Sequence, residues 1–167
     1  MTELTELPRV TALKAIKRGI VIMSTYPLRH LSIGIDRPYP QVYAFLADPA
    51  NFPQWAAGLG QGVEHLGGTD WQVQTPSGPM LGHFTSPNPY GVLDHTLVTP
   101  QGEAFNNPMR LIANGTGVEV LFTLFQHPGT TAEAFATNAN AVTRDLTKLK
   151  TLLEQTEAPL ITRRHQA

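Results

Sequence analysis

A strand followed at once by two short helices is predicted between Leu31 and Trp55, and this is an unusual way for a domain to begin. Apolar residues at every second position of 31–35 have the period of a half-buried strand. Pro40 suits the first turn of a helix, and Asp48 directly before Pro49 is a typical N-cap of a second one. Trp55 would then close the second helix onto the core. The segment predicts a small α+β domain.

Short strands are predicted between Val63 and His127. Apolar runs in this region are separated by Gly- and Pro-rich turns at the regular spacing of an antiparallel meander. The clearest runs are Val92–Val98, Phe105–Ala113 and Val118–Phe125. All the short strands of this region, together with the first strand, predict a sheet of about six to seven antiparallel strands.

A long amphipathic helix is predicted after His127, where Pro128 and Gly129 end the meander. The segment Thr130–Glu133 has the S/T-x-x-E form of a capping box. Apolar residues then follow at alternating steps of four and three, which is the spacing of one helical face. They are Phe135, Ala139, Val142, Leu146, Leu149 and Leu153. A helix that runs to about Glu157 would be roughly 40 Å long and would cross a small domain.

These elements can bury their apolar faces in few ways. A twisted sheet with one apolar face must curve around whatever covers it, and the terminal helix is the element available to cover it. The two short helices then close one end. Such a wrapped sheet leaves an apolar cavity beside the helix, and cavities of this kind bind small molecules. We expect this domain to span 29–157, with a C-terminal tail at 158–167.

Residues 1–28 differ from the rest and are expected to form an N-terminal arm or extension. Rough helical spacing of apolar residues follows Pro8, and four basic residues make the segment locally positive. Three interpretations remain open. The segment is a loosely attached arm, a helix that packs on a second copy in a homodimer, or an extension upstream of a start at Met23.

Composition and motifs exclude several classes of function. The formal net charge is -1, from 12 Lys and Arg against 13 Asp and Glu, so nothing predicts nucleic-acid binding. The chain has no cysteine and no apolar run near the ~20 residues of a membrane span. We find no metal-ligand spacing, no phosphate loop and no nucleophile elbow, and we expect no metal and no cofactor. A cytoplasmic protein is the expectation.

Two histidines on neighbouring predicted strands are candidate catalytic residues. His95 shares a strand face with Leu93 and Leu97, so we expect it to point inward, whereas the direction of His83 stays open. An imidazole there would serve as general acid or base, and the alternative is a core or rim histidine satisfied by the backbone. Arg110 either pairs with Asp94 on the outer face or reaches the cavity to bind a carboxylate or enolate oxygen.

Candidate ligand-binding residues come from the same strands and their loops. Aromatic and methionine side chains can line an apolar pocket, although ordinary core packing explains them equally well. The candidates are Trp71, Phe84, Met109 and Phe122 on strands and Tyr90 in a loop at the expected cavity mouth. Asn106 and its neighbour Asn107 could offer amides to a ligand, although a bulge or edge position explains them equally well.

The chain resembles the START-like, or SRPBCC, superfamily of helix-grip proteins. The resemblance covers about 29–157 and depends on three segments, Ile33–Pro38, Val42–Pro49 and Phe52–Trp55, and on the long C-terminal helix. It implies an α+β helix-grip fold, with a curved antiparallel sheet around a long C-terminal helix and a hydrophobic ligand in between. Gly91–His95, followed by Pro108-Met109-Arg110, is similar to bacterial members labelled polyketide cyclase or dehydratase.

Two functions follow from this resemblance. The first is binding of a small hydrophobic molecule, with cyclisation or dehydration of a polyketide-like substrate if the protein is an enzyme. His95 or His83 would then move the proton while Arg110 or Asn106 polarises a carbonyl. The alternative is a non-catalytic interaction module, like the activators of a chaperone ATPase that share this fold.

Overall fold

The computed structural model of the chain describes residues 25–56 and 62–155. Most of the predicted N-terminal arm and the whole of the predicted C-terminal tail lie outside these residues. No helix in the described ranges is long and apolar enough to cross a membrane.

Eight strands and three α-helices follow one another in the described part of the chain. The strands are β1 Leu28–Ile35, β2 Val63–Gly67, β3 Asp70–Thr75, β4 Gly78–Phe84, β5 His95–Val98, β6 Ala104–Asn107, β7 Met109–Asn114 and β8 Gly117–Phe125. The helices are α1 Tyr39–Leu46, α2 Phe52–Trp55 and α3 Ala132–Gln155, with a 3-10 turn at Pro49–Asn51. This is the predicted α+β order, with two short helices after the first strand and the long helix last.

All the strands pair antiparallel, in the orders β2-β3-β4-β5-β6 and β1-β8-β7. The two groups meet at Pro108, where the predicted strand Phe105–Ala113 is divided into β6 and β7. Proline has no N–H to donate to the ladder, so regular pairing is interrupted there. The sheet continues past this point, because Leu111 N–H donates to the Gly91 carbonyl at 2.9 Å.

The two short helices pack where the sequence places them. The Asp48 carboxylate accepts a hydrogen bond from Ala50 N–H at 2.9 Å and caps the 3-10 turn. Phe52 and Trp55 are each only 6% exposed, and their rings meet edge to face at 5.1 Å. Aromatic burial therefore holds α2 against the core.

Helix α3 has the predicted apolar face but starts one residue later than the predicted capping box. Thr131 Oγ1 accepts from Ala134 N–H at 3.1 Å, so Thr131 caps the helix. Thr130 belongs to the preceding turn, because its N–H donates to the His127 carbonyl at 3.0 Å. The buried residues of the helix are Phe135, Ala139, Leu146 and Leu149.

Polar contacts join the last described turn of α3 to the end of β1. Arg37 donates to the carbonyls of Leu153 and Glu154 at 2.9 and 2.5 Å. The Glu154 carboxylate accepts from Asp36 N–H at 2.8 Å and from the Lys150 ammonium at 2.6 Å. The hydrogen bond from Asp36 N–H lowers the pKa of the Glu154 carboxyl most, and the hydrogen bond from Lys150 lowers it further. They hold the helix in place across the sheet.

Candidate functional site

A cavity of about 150 Å³ lies between the concave face of the sheet and α3. Helix α2 closes it on one side. Its described lining is apolar except for three side chains, one from each of β5, β6 and α3. The lining residues are Phe52, Trp55, Ala56, His95, Leu97, Asn107, Phe122, Leu124, Val142 and Asp145.

His95 is the buried polar residue of this cavity, and it is 5% exposed. It shares the inner face of β5 with Leu97, as the alternation of the strand predicted. Its ring stacks on Phe84, with centroids 5.4 Å apart and planes 16° apart, and the Phe52 ring meets it edge-on at 5.3 Å. Aromatic packing on two sides therefore fixes the orientation of the imidazole.

The hydrogen bond of His95 determines which ring nitrogen carries the proton. Nδ1 lies 3.4 Å from the Leu93 carbonyl, and a carbonyl can only accept. In the neutral ring Nδ1 is therefore the N–H donor, and Nε2 is left as the acceptor. The bond is long and correspondingly weak.

The surroundings of His95 keep it neutral. Burial in an apolar site lowers its pKa from 6.5 to about 4, and the Leu93 carbonyl and the negative charge of Asp94 oppose this only in part. At pH 7 the cavity therefore contains an uncharged imidazole.

Nε2 of His95 is open to the cavity. Among the described residues the His95 side chain makes one hydrogen bond, and it is made by Nδ1. Nε2 makes none. Within the described residues every fully buried side-chain nitrogen or oxygen has a hydrogen-bond partner. Nε2 has none, so it keeps at least a small accessible surface. An accessible acceptor in an apolar wall is a place where a ligand donor can bind.

The other candidate catalytic side chains lie on the outer face of the sheet. His83 pairs with Asp70 at 2.7 Å, and both side chains are nearly half exposed. Arg110 forms the ion pair with Asp94 that the strand pattern suggested, and it also donates to the Met109 carbonyl at 2.9 Å. The structure thus brings His95 to the cavity and leaves His83 and Arg110 outside it.

The predicted ligand-binding residues fall in different places. Phe122 lines the cavity, and Phe84 lies behind His95 as its stacking partner. Met109 is 2% exposed and belongs to the core cluster. Trp71 packs on His65, with ring centroids 4.7 Å apart, and does not line the cavity.

The two remaining candidates face solvent. Tyr90 is 80% exposed in the loop before β5. Asn106 is exposed on β6, where its side-chain oxygen accepts from Thr96 Oγ1 at 2.8 Å. Neither side chain lines the cavity.

Asn107, one of the two asparagines that could offer an amide, lines the cavity, and so does Asp145, which was not predicted. Asn107 lies directly opposite His95 in the ladder, and opposite residues of an antiparallel pair share a face. The sequence alone does not show which of the two adjacent asparagines faces the cavity. The strand register does, because it places Asn107 opposite His95. Asp145 had a weak signal, since it interrupts the apolar face of α3 three residues after Val142.

Within residues 25–56 and 62–155, no group of three or more His, Cys, Asp or Glu residues could hold a metal ion.

The chain matches no protein-family model and no curated protein sequence. Its structure resembles solved proteins at low sequence identity. Ara h 8.0201 superposes with a TM-score of 0.59 at 11% identity, over 77% of this chain and 98% of that one. The Aha1 dimer from Colwellia psychrerythraea has a TM-score of 0.60 at 18% identity, over 79% and 99%.

A third similar structure is DynU16, a protein of the dynemicin biosynthetic locus. Its TM-score is 0.60 at 16% identity, over 77% of this chain and 47% of DynU16, so this chain spans about half of that protein. Identities this low establish a shared fold and nothing finer. The chain has the α+β helix-grip fold of the START-like (SRPBCC) proteins.

Proposed function

We propose that the protein binds one small, mostly apolar molecule in the cavity between the sheet and α3. The observation that carries this proposal is an apolar space of about 150 Å³ whose described lining includes a neutral, accessible imidazole. A cavity with apolar walls and a few convergent polar groups is the usual form of a small-molecule site.

The accessible volume of the cavity matches a ligand of about one ring. Sites for drug-sized ligands commonly measure about 300–1,000 Å³. An engineered apolar cavity of about 150 Å³ in another protein accepts benzene. A polyketide chain folded for cyclisation is larger than this space. The dimensions therefore favour a smaller ligand than a cyclase or dehydratase would need.

Binding is better supported than catalysis by His95. Acid–base catalysis is most efficient when the pKa of the catalytic group is near the working pH. The pKa of His95 is lowered to about 4, so at neutral pH its ring is a weak base and carries no proton to donate from Nε2. We assign His95 and Phe122 to ligand contact, with Phe84 as support behind the imidazole.

The test is a titration with toluene, monitored by ligand-observed NMR and by thermal stabilisation. Val142→Phe fills the cavity from α3 and is expected to abolish binding. Val98→Phe makes the same change on the outer face of β5 and is the matched control. Native mass spectrometry of the freshly purified protein would identify a ligand that co-purifies. The proposal is contradicted if neither toluene nor another compound of one ring binds the wild type, or if the Val142→Phe variant binds toluene as tightly as the wild type.

A second candidate function is protein interaction, and Tyr90 is the observation that favours it. This side chain is 80% exposed, although its backbone is held by the side chain of Asn88. The Asn88 oxygen accepts from Tyr90 N–H at 3.0 Å and from Val92 N–H at 3.2 Å. A rigidly presented tyrosine offers contact area at low entropic cost. The surface of one residue is far smaller than the ~1,000 Å² that a stable interface buries, so this function ranks second.

The partner tested first is a second copy of the chain, because the similar Aha1 structure is a dimer. Sedimentation velocity of the full chain at rising concentration should show a dimer that Tyr90→Ser weakens. Tyr26→Ser, at a tyrosine that is 47% exposed, is the control and should leave it unchanged. A monomer at every concentration would exclude self-association.

A further inference from the structure

The polar groups of the cavity select among the small molecules that fit it. The inference below rests on the function proposed above and adds the chemical class of the ligand. It depends on three observations: the free acceptor of His95, the absence of a cationic side chain in the described lining, and the size of the space.

The first observation concerns the hydrogen bond that a ligand would make. In the neutral tautomer in which His95 Nδ1 donates to the Leu93 carbonyl, Nε2 can only accept a hydrogen bond. A ligand must therefore bring an O–H or N–H group to that position. A ligand with only C–H groups there would remove water from Nε2 without replacing its hydrogen bond, which is unfavourable.

The second observation concerns charge. None of the described lining residues is Lys or Arg, and the lining includes the carboxyl side chain of Asp145. A ligand carboxylate would lose its hydration without meeting a positive charge, and this cost is large in an apolar site. The ligand that suits the cavity is therefore neutral.

The third observation is the space itself. A volume of about 150 Å³ holds a single six-membered ring with a small substituent. Phe52, Trp55 and Phe122 supply aromatic walls, which favour a planar ring.

We propose that the cavity binds neutral single-ring compounds that carry one hydroxyl donor, the class of phenol, with the hydroxyl donating to Nε2 of His95. The ring then occupies the apolar space between Phe122 and α2. Among compounds of equal size, the hydroxyl is what the protein distinguishes.

The test compares phenol with toluene, which has a methyl group in place of the hydroxyl, and with benzoate. All three are titrated into the full-length wild type, His95→Leu and His95→Gln. A hydrogen bond between neutral groups corresponds to about a threefold to tenfold gain in affinity. We expect phenol to bind the wild type that much more tightly than toluene, and benzoate not to bind.

The variants assign the preference to one atom. His95→Leu removes the acceptor, so we expect toluene to bind more tightly than phenol. His95→Gln keeps an acceptor and should retain part of the preference for phenol. Leu97→Val changes a lining side chain without changing any polar group and should keep the wild-type order.

Each outcome has one meaning. Equal or tighter binding of toluene by the wild type overturns this inference and leaves the apolar-ligand function standing. A preference for phenol that survives in His95→Leu overturns the role of Nε2. If neither ring binds the wild type, the proposed function itself fails. The wild-type comparison needs no variant, so it decides the question even if His95→Leu does not fold.

Discussion

The buried imidazole of His95 should make the stability of this protein depend on pH, and His95→Leu should remove that dependence. The ring is neutral in the folded state because it is desolvated among Phe52, Phe84 and Phe122. In the unfolded chain the same imidazole is solvated and titrates at its ordinary value. Protons therefore bind the unfolded state more readily than the folded state.

The magnitude follows from the two pKa values, 6.5 unfolded and about 4 folded. Between them the unfolded state holds more protons, so the free energy of unfolding rises with pH. Above about pH 6.5 the contribution of His95 is complete; it declines as the pH falls and is lost near pH 4. Each pKa unit is worth about 1.36 kcal/mol, so the expected loss is about 3 kcal/mol.

The assay is urea denaturation at a series of pH values from 4 to 8. Other ionisable groups contribute to the pH dependence of both proteins, among them Asp94 beside His95 and Asp145 in the cavity lining. The quantity that matters is therefore the wild type minus His95→Leu. This difference should change by about 3 kcal/mol between pH 7 and pH 4 and stay flat above pH 7.

Leu97→Val is the matched control, because Leu97 shares the inner face of β5 with His95 and binds no proton. It should reproduce the pH dependence of the wild type. If the His95→Leu variant loses as much stability as the wild type between pH 7 and pH 4, the burial argument is wrong. If this difference falls as the pH rises from 4 to 7, the sign is wrong.

Four further substitutions test the packing of the fold around the cavity, each by urea denaturation. Gly91→Ala should destabilise the fold by more than the ~1–2 kcal/mol of a left-handed backbone, because φ is +68° and a Cβ atom would lie 2.3 Å from the Leu111 carbonyl oxygen. Leu149→Ala, at a residue 0% exposed in the face of α3, should cost about 2–5 kcal/mol, whereas Ile112→Ala, at 48% exposure, should cost less than about 1 kcal/mol. Thr131→Ala should cost about 1 kcal/mol through the lost helix cap; no change would refute that cap.

The fold was predictable because its signals are local. Prolines at helix starts, the Asp48 cap and the four-three spacing along α3 depend on residues close in sequence, and local sterics and hydrogen bonding determine what they do. Where the prediction differed from the structure, a local detail had been missed. Pro108 divides one strand because it lacks an N–H, and Thr130 is used by a turn before the helix begins.

The candidate site was less predictable because it depends on register. Alternation along β5 was sufficient to direct His95 inward, since neighbouring strand residues point to opposite faces. The ladder then determined the rest. It placed Asn107 opposite His95 and Asn106 opposite Thr96, a difference of one residue that moves a side chain from the cavity to solvent.

The sequence by itself determined the order of the elements, the curved sheet that the last helix must cover, and the inward direction of His95. Each follows from a period of two or 3.6 residues that one segment carries alone. Only the tertiary structure decided the volume of the cavity, the pairing of Arg110 with Asp94 on the outer face, and the burial that lowers the pKa of His95. These properties arise between segments far apart in the chain, because space and desolvation exist only after the segments have packed together.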